Sequence, residues 1–395
     1  MRAAVHVRAL SELFDVTLAL INPDRHELAQ ASDALGSFCR EVTAYYDVSL
    51  FARIHGAMPE WRSQKLWEAF WPSPAALART DGALRQLAGT LVAGQFDVVH
   101  CFRMHTAMLV SYAAPDVRRG ARWTLDIDDY ESHTRSRNGK RLRASGGRVF
   151  GVLLPLEGLK YSRCESRLIP QFDEAYVCSE DDRDALVVRF PTIGWRVLPN
   201  VVTPPPAAPR EKQAVFTFLF VGSLDDPPNR EGVLYFCSEI LPRLRQNTTQ
   251  PFKVLVVGRN PDAVISRLGQ SEGIEIVANP PDVAPFYRMA DACIAPLLAG
   301  GGTRIKILEA FSYGLPVVST TLGAEGLHVV PGVHAEIADS PDAFAEACCR
   351  LMENTALRVW LAEGGQALYS ARFSPSVIAR TFAHAHADLV PEAAA

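Results

Sequence analysis

The decapeptide GGGTRIKILE (300–309) combines three residue types that chemistry on an anion would need. Gly300, Gly301 and Gly302 let a ligand approach the backbone closely, and Arg304 and Lys306 bring formal positive charge. Thr303 is a reasonable N-cap for the helical pattern that follows, and Gly314 a reasonable glycine to end it. A glycine loop running into a helix N-terminus points unpaired N–H groups forward, with the helix dipole behind them, which is an anion site. Glu309 adds a carboxylate that can accept from hydroxyls. The order of residues fits neither the P-loop, G-x-x-x-x-G-K-[ST], nor G-x-G-x-x-G, because position 305 is Ile. The alternative is a tight turn followed by a surface Lys306–Glu309 pair, worth a few tenths of a kcal/mol (~0.3). Three glycines ahead of two cations exceed what such a turn needs, so phosphate binding is the preferred reading.

Such a loop has to be carried by a strand and a helix, and the chain supplies both. Short β-branched runs alternate with longer helical patterns, the mark of parallel α/β units. In the first half the strand candidates are 16–20, 48–51, 97–102, 123–127 and 174–179. A proline-rich stretch, VVTPPPAAPR (201–210), can be neither helix nor central strand and reads as a linker. Strands are then expected at 216–224, 252–258, 274–278, 292–298, 316–320 and 334–338, with one helix over 229–246. The glycine loop falls between the strands at 292–298 and 316–320. In doubly wound sheets ligands lie beyond the carboxyl ends of the strands, so the strand-to-helix loops are where chemistry is expected. The expected domains are 1–200, a linker 201–213, a second domain 214–372, and a C-terminal helix 373–395 packing back on the first domain. One oddity is that the chain begins on a helical pattern, where an α/β domain normally opens with a central strand. Either the first domain lacks its opening strand or the start lies inside a longer protein.

At 395 residues, 48% apolar and 21% charged, the chain is long enough for two globular cores. A net charge of −4 gives no general attraction to nucleic acid, which is excluded as an expected partner. Eight scattered cysteines without a C-x-x-C pair argue for a reduced, cytoplasmic protein with neither disulfides nor a zinc site. No long apolar run could span a membrane, and the first residues lack a signal-peptide pattern.

The stretch APLLAGGGTRIKILEAFSYGLPVVSTTLGAEGL (295–327) resembles the donor-site signature of glycosyltransferase family 4. FLFVGSLDDPPNREGVLYF (218–236) and FDEAYVCSEDDRDAL (172–186) with LPN (198–200) are similar to that family too. The resemblance implies the GT-B fold, two doubly wound Rossmann-like domains facing across a cleft. It also implies a nucleotide-diphosphate sugar on the C-terminal domain, retention of anomeric configuration, and no metal or other cofactor. Glu309 matches the second acid of the family's E-x7-E motif, which binds the ribose hydroxyls. The first acid would fall at Gly301, so this is a glycine-rich variant in which backbone N–H groups substitute. Gly222 and Ser223, with Asn229 further on, occupy the loop where relatives carry an Arg for the diphosphate. Arg304 or Lys306, with Arg259, must then supply that charge. The loop 279–283, ending at Val283, sits where the family holds the base.

On the acceptor side, His100, with Arg103 and His105, lies in a region where relatives often show His-x-His, but the usual second histidine is Phe102 here. Catalysis by His100 and simple burial both stay open. Asp126 and Asp128 form a D-x-D that is similar to the metal–diphosphate motif of the GT-A fold. With no other GT-A feature in the chain, acceptor contacts by Asp128, or helix capping, are preferred. The segment 118–167 holds twice as many cations as acids around the apolar VFGVLLPL (149–156). It reads either as a solvated face around a core helix or as a peripheral contact with anionic lipid. The expected activity is transfer of a sugar to a glycan or lipid-linked acceptor in envelope or exopolysaccharide synthesis. A non-catalytic nucleotide-sugar-binding protein and a nucleotide-sugar epimerase remain as rivals.

Overall fold

The computed structural model describes residues 2–21, 25–45, 83–94, 96–113, 120–128, 130–133, 135–136, 148–203, 214–299 and 303–389. The chain forms two compact units, 1–199 with 378–395, and 200–377.

The second unit is built on a six-stranded parallel sheet. Its strands are β7 (Phe216–Val221), β8 (Phe252–Gly258), β9 (Ile274–Ala278), β10 (Ala292–Ala295), β11 (Val317–Ser319) and β12 (Glu336–Ile337). They lie in the order β12-β11-β10-β7-β8-β9, so the order reverses between β7 and β10. That reversal is a topological switch point, and it opens the sheet's carboxyl edge to a ligand. The strands are near-continuous apolar runs because both faces are covered, as parallel sheets require. Alternate residues go to opposite cores: Phe218, Phe220, Val254, Val256 and Ile294 to one, Leu219, Val221, Leu255, Val257 and Cys293 to the other.

The helix expected over 229–246 is interrupted. An α-helix at Pro227–Tyr235 passes into a π-helical turn at Phe236–Ile240 and resumes at Leu241–Asn247. Pro242 has no N–H for the carbonyl four residues back and its ring would press on that turn, so the backbone widens ahead of it. The helix that follows the glycine loop, Ile305–Ser312, starts later than Thr303 suggested. Arg304 takes the cap position without a side-chain cap bond, because Thr303 Oγ1 instead accepts from Asn200 Nδ2 at 3.0 Å. Gly314 ends it as expected, at φ 64° with Leu315 N–H donating to Ala310 O at 2.9 Å.

In the first unit the described strands form two parallel sheets. One pairs β1 (Thr17–Ile21) with β2 (Glu41–Tyr45); the other orders β3 (Val98–Phe102), β4 (Arg122–Asp128), β5 (Glu174–Val177) and β6 (Gly194–Val197) consecutively. The expected strand at 48–51 lies outside the described residues. One face of the four-stranded sheet is apolar, with Cys101, Trp123, Leu125, Ile127, Ala175 and Val177. The opposite face presents His100, Thr124, Asp126 and Tyr176. It is covered from α1 (Arg2–Ser11) by Arg2 and His6, and from the helix Pro375–Ala385 by Phe382.

Candidate functional site

At the carboxyl edge of the second unit, β7 and β8 end in glycines pressed together. A Cβ on Gly258 would stand 1.8 Å from Gly222 O, so that position admits no side chain. Asn229, in the first turn of the following helix, donates from Nδ2 to Ser223 O at 3.0 Å and accepts at Oδ1 from Lys306 Nζ. The amide thereby ties the loop after β7 to the helix Ile305–Ser312. Lys306 Nζ also sits 4.3 Å from the centroid of the Phe220 ring, and the residue is only 8% exposed. Burial lowers its pKa to about 8, with Arg304 adding to the fall and Cys293, Asp226 and Glu309 opposing it. Arg304 is buried beside it and donates from Nη2 to Leu322 O at 3.4 Å. Two cations thus stand together at the switch point.

Glu309 is one helical turn further on. Its Oε2 accepts from the Tyr287 hydroxyl at 2.7 Å, and Tyr287 stacks on Tyr313 with ring centroids 5.0 Å apart. Burial raises the Glu309 pKa, while the tyrosine bond and Lys306 pull the other way. The surface Lys306–Glu309 pair weighed from the sequence is therefore not what forms. Lys306 turns inward to Asn229, and Glu309 bonds to Tyr287.

A rim of turns surrounds these groups. Asn260 N–H donates to Asn279 Oδ1 at 2.8 Å, Asn260 Nδ2 to Asp225 Oδ2 at 3.1 Å, and Ser223 Oγ to Asp225 Oδ1 at 2.7 Å. Asn260 and Asn279 both have positive φ, at 54° and 52°, a conformation asparagine tolerates better than most residues. Arg259 is exposed at the end of β8, and Val283 is the cap residue of the helix Ala284–Met289. Gly300, Gly301 and Gly302 lie outside the described residues, as does Asp129. The structure thus brings Gly222, Ser223, Asn229, Thr303, Arg304, Lys306 and Glu309 to one edge of one sheet, with Arg259 and Val283 on neighbouring loops. Sequence reasoning missed Tyr287. A hydroxyl-bearing ring in the short helix APFYRM that leads into the buried strand ACIA was the available signal, since a buried tyrosine hydroxyl needs a partner.

In the first unit, Asp126 is fully buried and accepts from Arg2 Nε at 2.8 Å and Nη2 at 3.0 Å; His6 Nδ1 approaches the same carboxylate to 3.2 Å without forming a hydrogen bond. Burial alone would raise the Asp126 pKa, but Arg2 and His6 outweigh it and leave the carboxyl below its ordinary value. Asp128 has φ 66° and Arg103 φ 70°, and Arg103 Nη2 donates to Asp128 Oδ2 at 3.0 Å. Both acids therefore face guanidinium groups. Among the described residues no group of three or more metal-ligating side chains occurs. His100 Nδ1 lies 2.8 Å from Thr124 Oγ1, and its Nε2 is buried without a partner. Burial, then His386 and Arg2, lower its pKa to about 4 against the pull of Asp126, so the ring is neutral near pH 7. Such a ring fits the packed role that the sequence left open. The side chains of the apolar run 149–156 lie outside the described residues. No described helix is long and apolar enough to cross a membrane.

Two Rossmann-like α/β units with the site at a switch point define a GT-B-type fold, and comparison with known structures agrees. Anabaena Alr3699/HepE, solved with UDP and glucose, matches at a TM-score of 0.61 and 14% identity over 98% of this chain and 96% of that one. Sucrose-phosphate synthase from Thermosynechococcus elongatus matches at 0.62 and 16% identity over 94% and 98%. Residues 215–354 match the model of the family glycosyl transferases group 1, and the chain is a GT-B-fold protein related to that family. Two curated relatives align over part of the chain. An uncharacterized 44.6 kDa protein in the cps region of Klebsiella pneumoniae is 26% identical over 144 residues, 34% of this chain. A phosphatidyl-myo-inositol mannosyltransferase of Mycobacterium leprae is 30% identical over 176 residues, 41% of this chain. The aligned stretches span 37% and 44% of those two proteins.

Proposed function

We propose that this protein is a retaining, metal-independent glycosyltransferase of family 4 that uses a nucleotide-diphosphate sugar. The second unit would bind the donor and the first would serve the acceptor. The observation that carries the reading is Lys306, a buried ammonium held by Asn229 at the switch point with Arg304 beside it. A cation kept there against its own desolvation needs an anion to meet, and a diphosphate provides one. The bond from the anomeric carbon to the diphosphate oxygen breaks, and charge develops on that oxygen. Lys306 and Arg304 stabilise the charge as it grows. The acceptor hydroxyl forms the new bond from the same face, with its proton passing to the departing phosphate. Glu309 receives the ribose hydroxyls.

Anabaena Alr3699/HepE, a structural neighbour solved with UDP and glucose and with UDP-glucose, supports a nucleotide-sugar donor. A relative that is a phosphatidyl-myo-inositol mannosyltransferase supports a lipid-linked acceptor, and a glycan acceptor and a cytoplasmic or peripheral location complete the proposal. The test is incubation with UDP-, GDP- and ADP-sugars and a lipid and glycan extract, with and without EDTA. Release of nucleotide coupled to sugar transfer, unchanged by EDTA, is expected. Binding without turnover, or conversion of the sugar to an isomer, overturns the transferase reading.

A further inference from the structure

We propose that Tyr287 is a positioning residue that makes this site selective for ribonucleoside over 2′-deoxyribonucleoside diphosphates. The inference rests on the donor-site reading above and narrows it to a donor class. A carboxylate recognises a ribose hydroxyl well only if an acceptor oxygen is aimed at it. Glu309 is half-buried on a short helix, where an unanchored glutamate side chain would still sample several rotamers. Tyr287 removes that freedom. Its hydroxyl, on a fully buried ring, donates to Oε2 at 2.7 Å and lies 3.4 Å from Lys306 O. The ring cannot swing away, because Tyr313 stacks on it at an interplanar angle of 13°. No described residue bonds to Oε1, so one carboxylate oxygen is anchored and the other is presented.

The same bond fixes the charge state. Burial drives Glu309 towards its neutral form, and the hydroxyl counters that by stabilising the carboxylate. A protonated Glu309 would hold one donor and lose an acceptor, which suits a ribose diol less well. Loss of the hydroxyl therefore loosens the rotamer and weakens the charge together, and both effects fall on the 2′-hydroxyl contact. A merely structural tyrosine, satisfied by whatever acceptor lies nearby, would produce neither.

Calorimetric titration of the full chain with UDP, GDP and their 2′-deoxy counterparts tests this, using wild type, Tyr287→Phe and Glu309→Ala. Phenylalanine keeps the stacked ring, and an unchanged melting temperature verifies the fold. Wild type should bind one ribonucleotide about tenfold or more tighter than its deoxy form, as expected for one charge-assisted bond. Tyr287→Phe should reduce that ratio below about threefold by weakening the ribonucleotide alone, and should add nothing in the Glu309→Ala background. An equal loss for both sugars, or an unchanged ratio, overturns the role of Tyr287 and leaves the donor site standing. If wild type binds no diphosphate, the donor-site reading falls and this inference with it.

Discussion

Burial lowers the Lys306 pKa to about 8, so near neutrality the ammonium is still charged while being poorly solvated. An anion that reaches it gains more than it would from a surface lysine, because little water has to be displaced from the cation. Two outcomes follow at the scale of this residue. Lys306→Ala should lower kcat/KM on the order of 100-fold, as for loss of one charged donor at a developing negative charge. Steady-state kinetics with the active donor measure it, and a loss of less than about threefold would remove Lys306 from the chemistry. The second outcome concerns pH. Above about pH 8 the free protein's ammonium deprotonates, so affinity for a nucleoside diphosphate should fall as pH rises past that point. The terminal phosphate has its second pKa near 6, so its own titration is nearly complete before pH 8 and leaves the window clear. Lys306→Ala should bind weakly and without the decline, and a parallel decline in that variant would assign it to another group.

At the scale of elements, the glycine at 258 is a constraint with a measurable consequence. The strand ends of β7 and β8 approach so closely that any Cβ there meets Gly222 O, a backbone atom that cannot rotate away. Gly258→Ala should therefore destabilise the second unit by about 3 kcal/mol, the upper range for overpacking, read as a drop in urea midpoint at constant slope. A change within about 0.5 kcal/mol would mean that the two strands part easily. The strands of this unit were legible because buried parallel strands write continuous apolar runs, and FTFLFV and FKVLVV could hardly be anything else. EVTAY and GWRV, which form β2 and β6, were not legible: each is short and carries a charge, and only pairing with a neighbour makes it a strand. The break in the helix after β7 was signalled by Pro242, but whether a proline ends a helix or is absorbed by a π-turn depends on packing. The site divides in the same way. Arg304, Lys306 and Glu309 are close in sequence and could be read together. Asn229 bonds Lys306 across 77 positions and Tyr287 bonds Glu309 across 22, distances over which spacing says nothing.

For the molecule as a whole, the polar face of the first unit's larger sheet ties stability to pH. Phe382 is ringed by His6, His100 and Tyr176 at centroid distances of 5.3–5.6 Å, and His386 stacks on it from the next turn at 6.3 Å. Burial lowers His6 to about 3 and His100 to about 4, against 6.5 for an ordinary histidine. His386 is lowered for the same reason. Between those limits the unfolded chain binds protons that the folded one refuses. Their contribution is therefore fully present above pH 6.5, and it is lost progressively as pH falls towards 4 and then 3. Each such histidine costs about 1.4 kcal/mol for every pH unit below its unfolded value. Asp126 lies below its own ordinary value as well, so its loss adds only at still lower pH. The window from pH 6.5 to 5 thus isolates the histidines. The urea midpoint should be flat from pH 8 to 7 and fall steeply from 6.5 to 5, with release of the C-terminal helix among the first events. His6→Phe keeps a flat ring beside Phe382 and removes one titration, so its midpoint should fall less steeply over the same window. A wild-type midpoint that stays level down to pH 5 would show that these rings are reached by water, and that the cover supplied by α1 and the C-terminal helix opens freely.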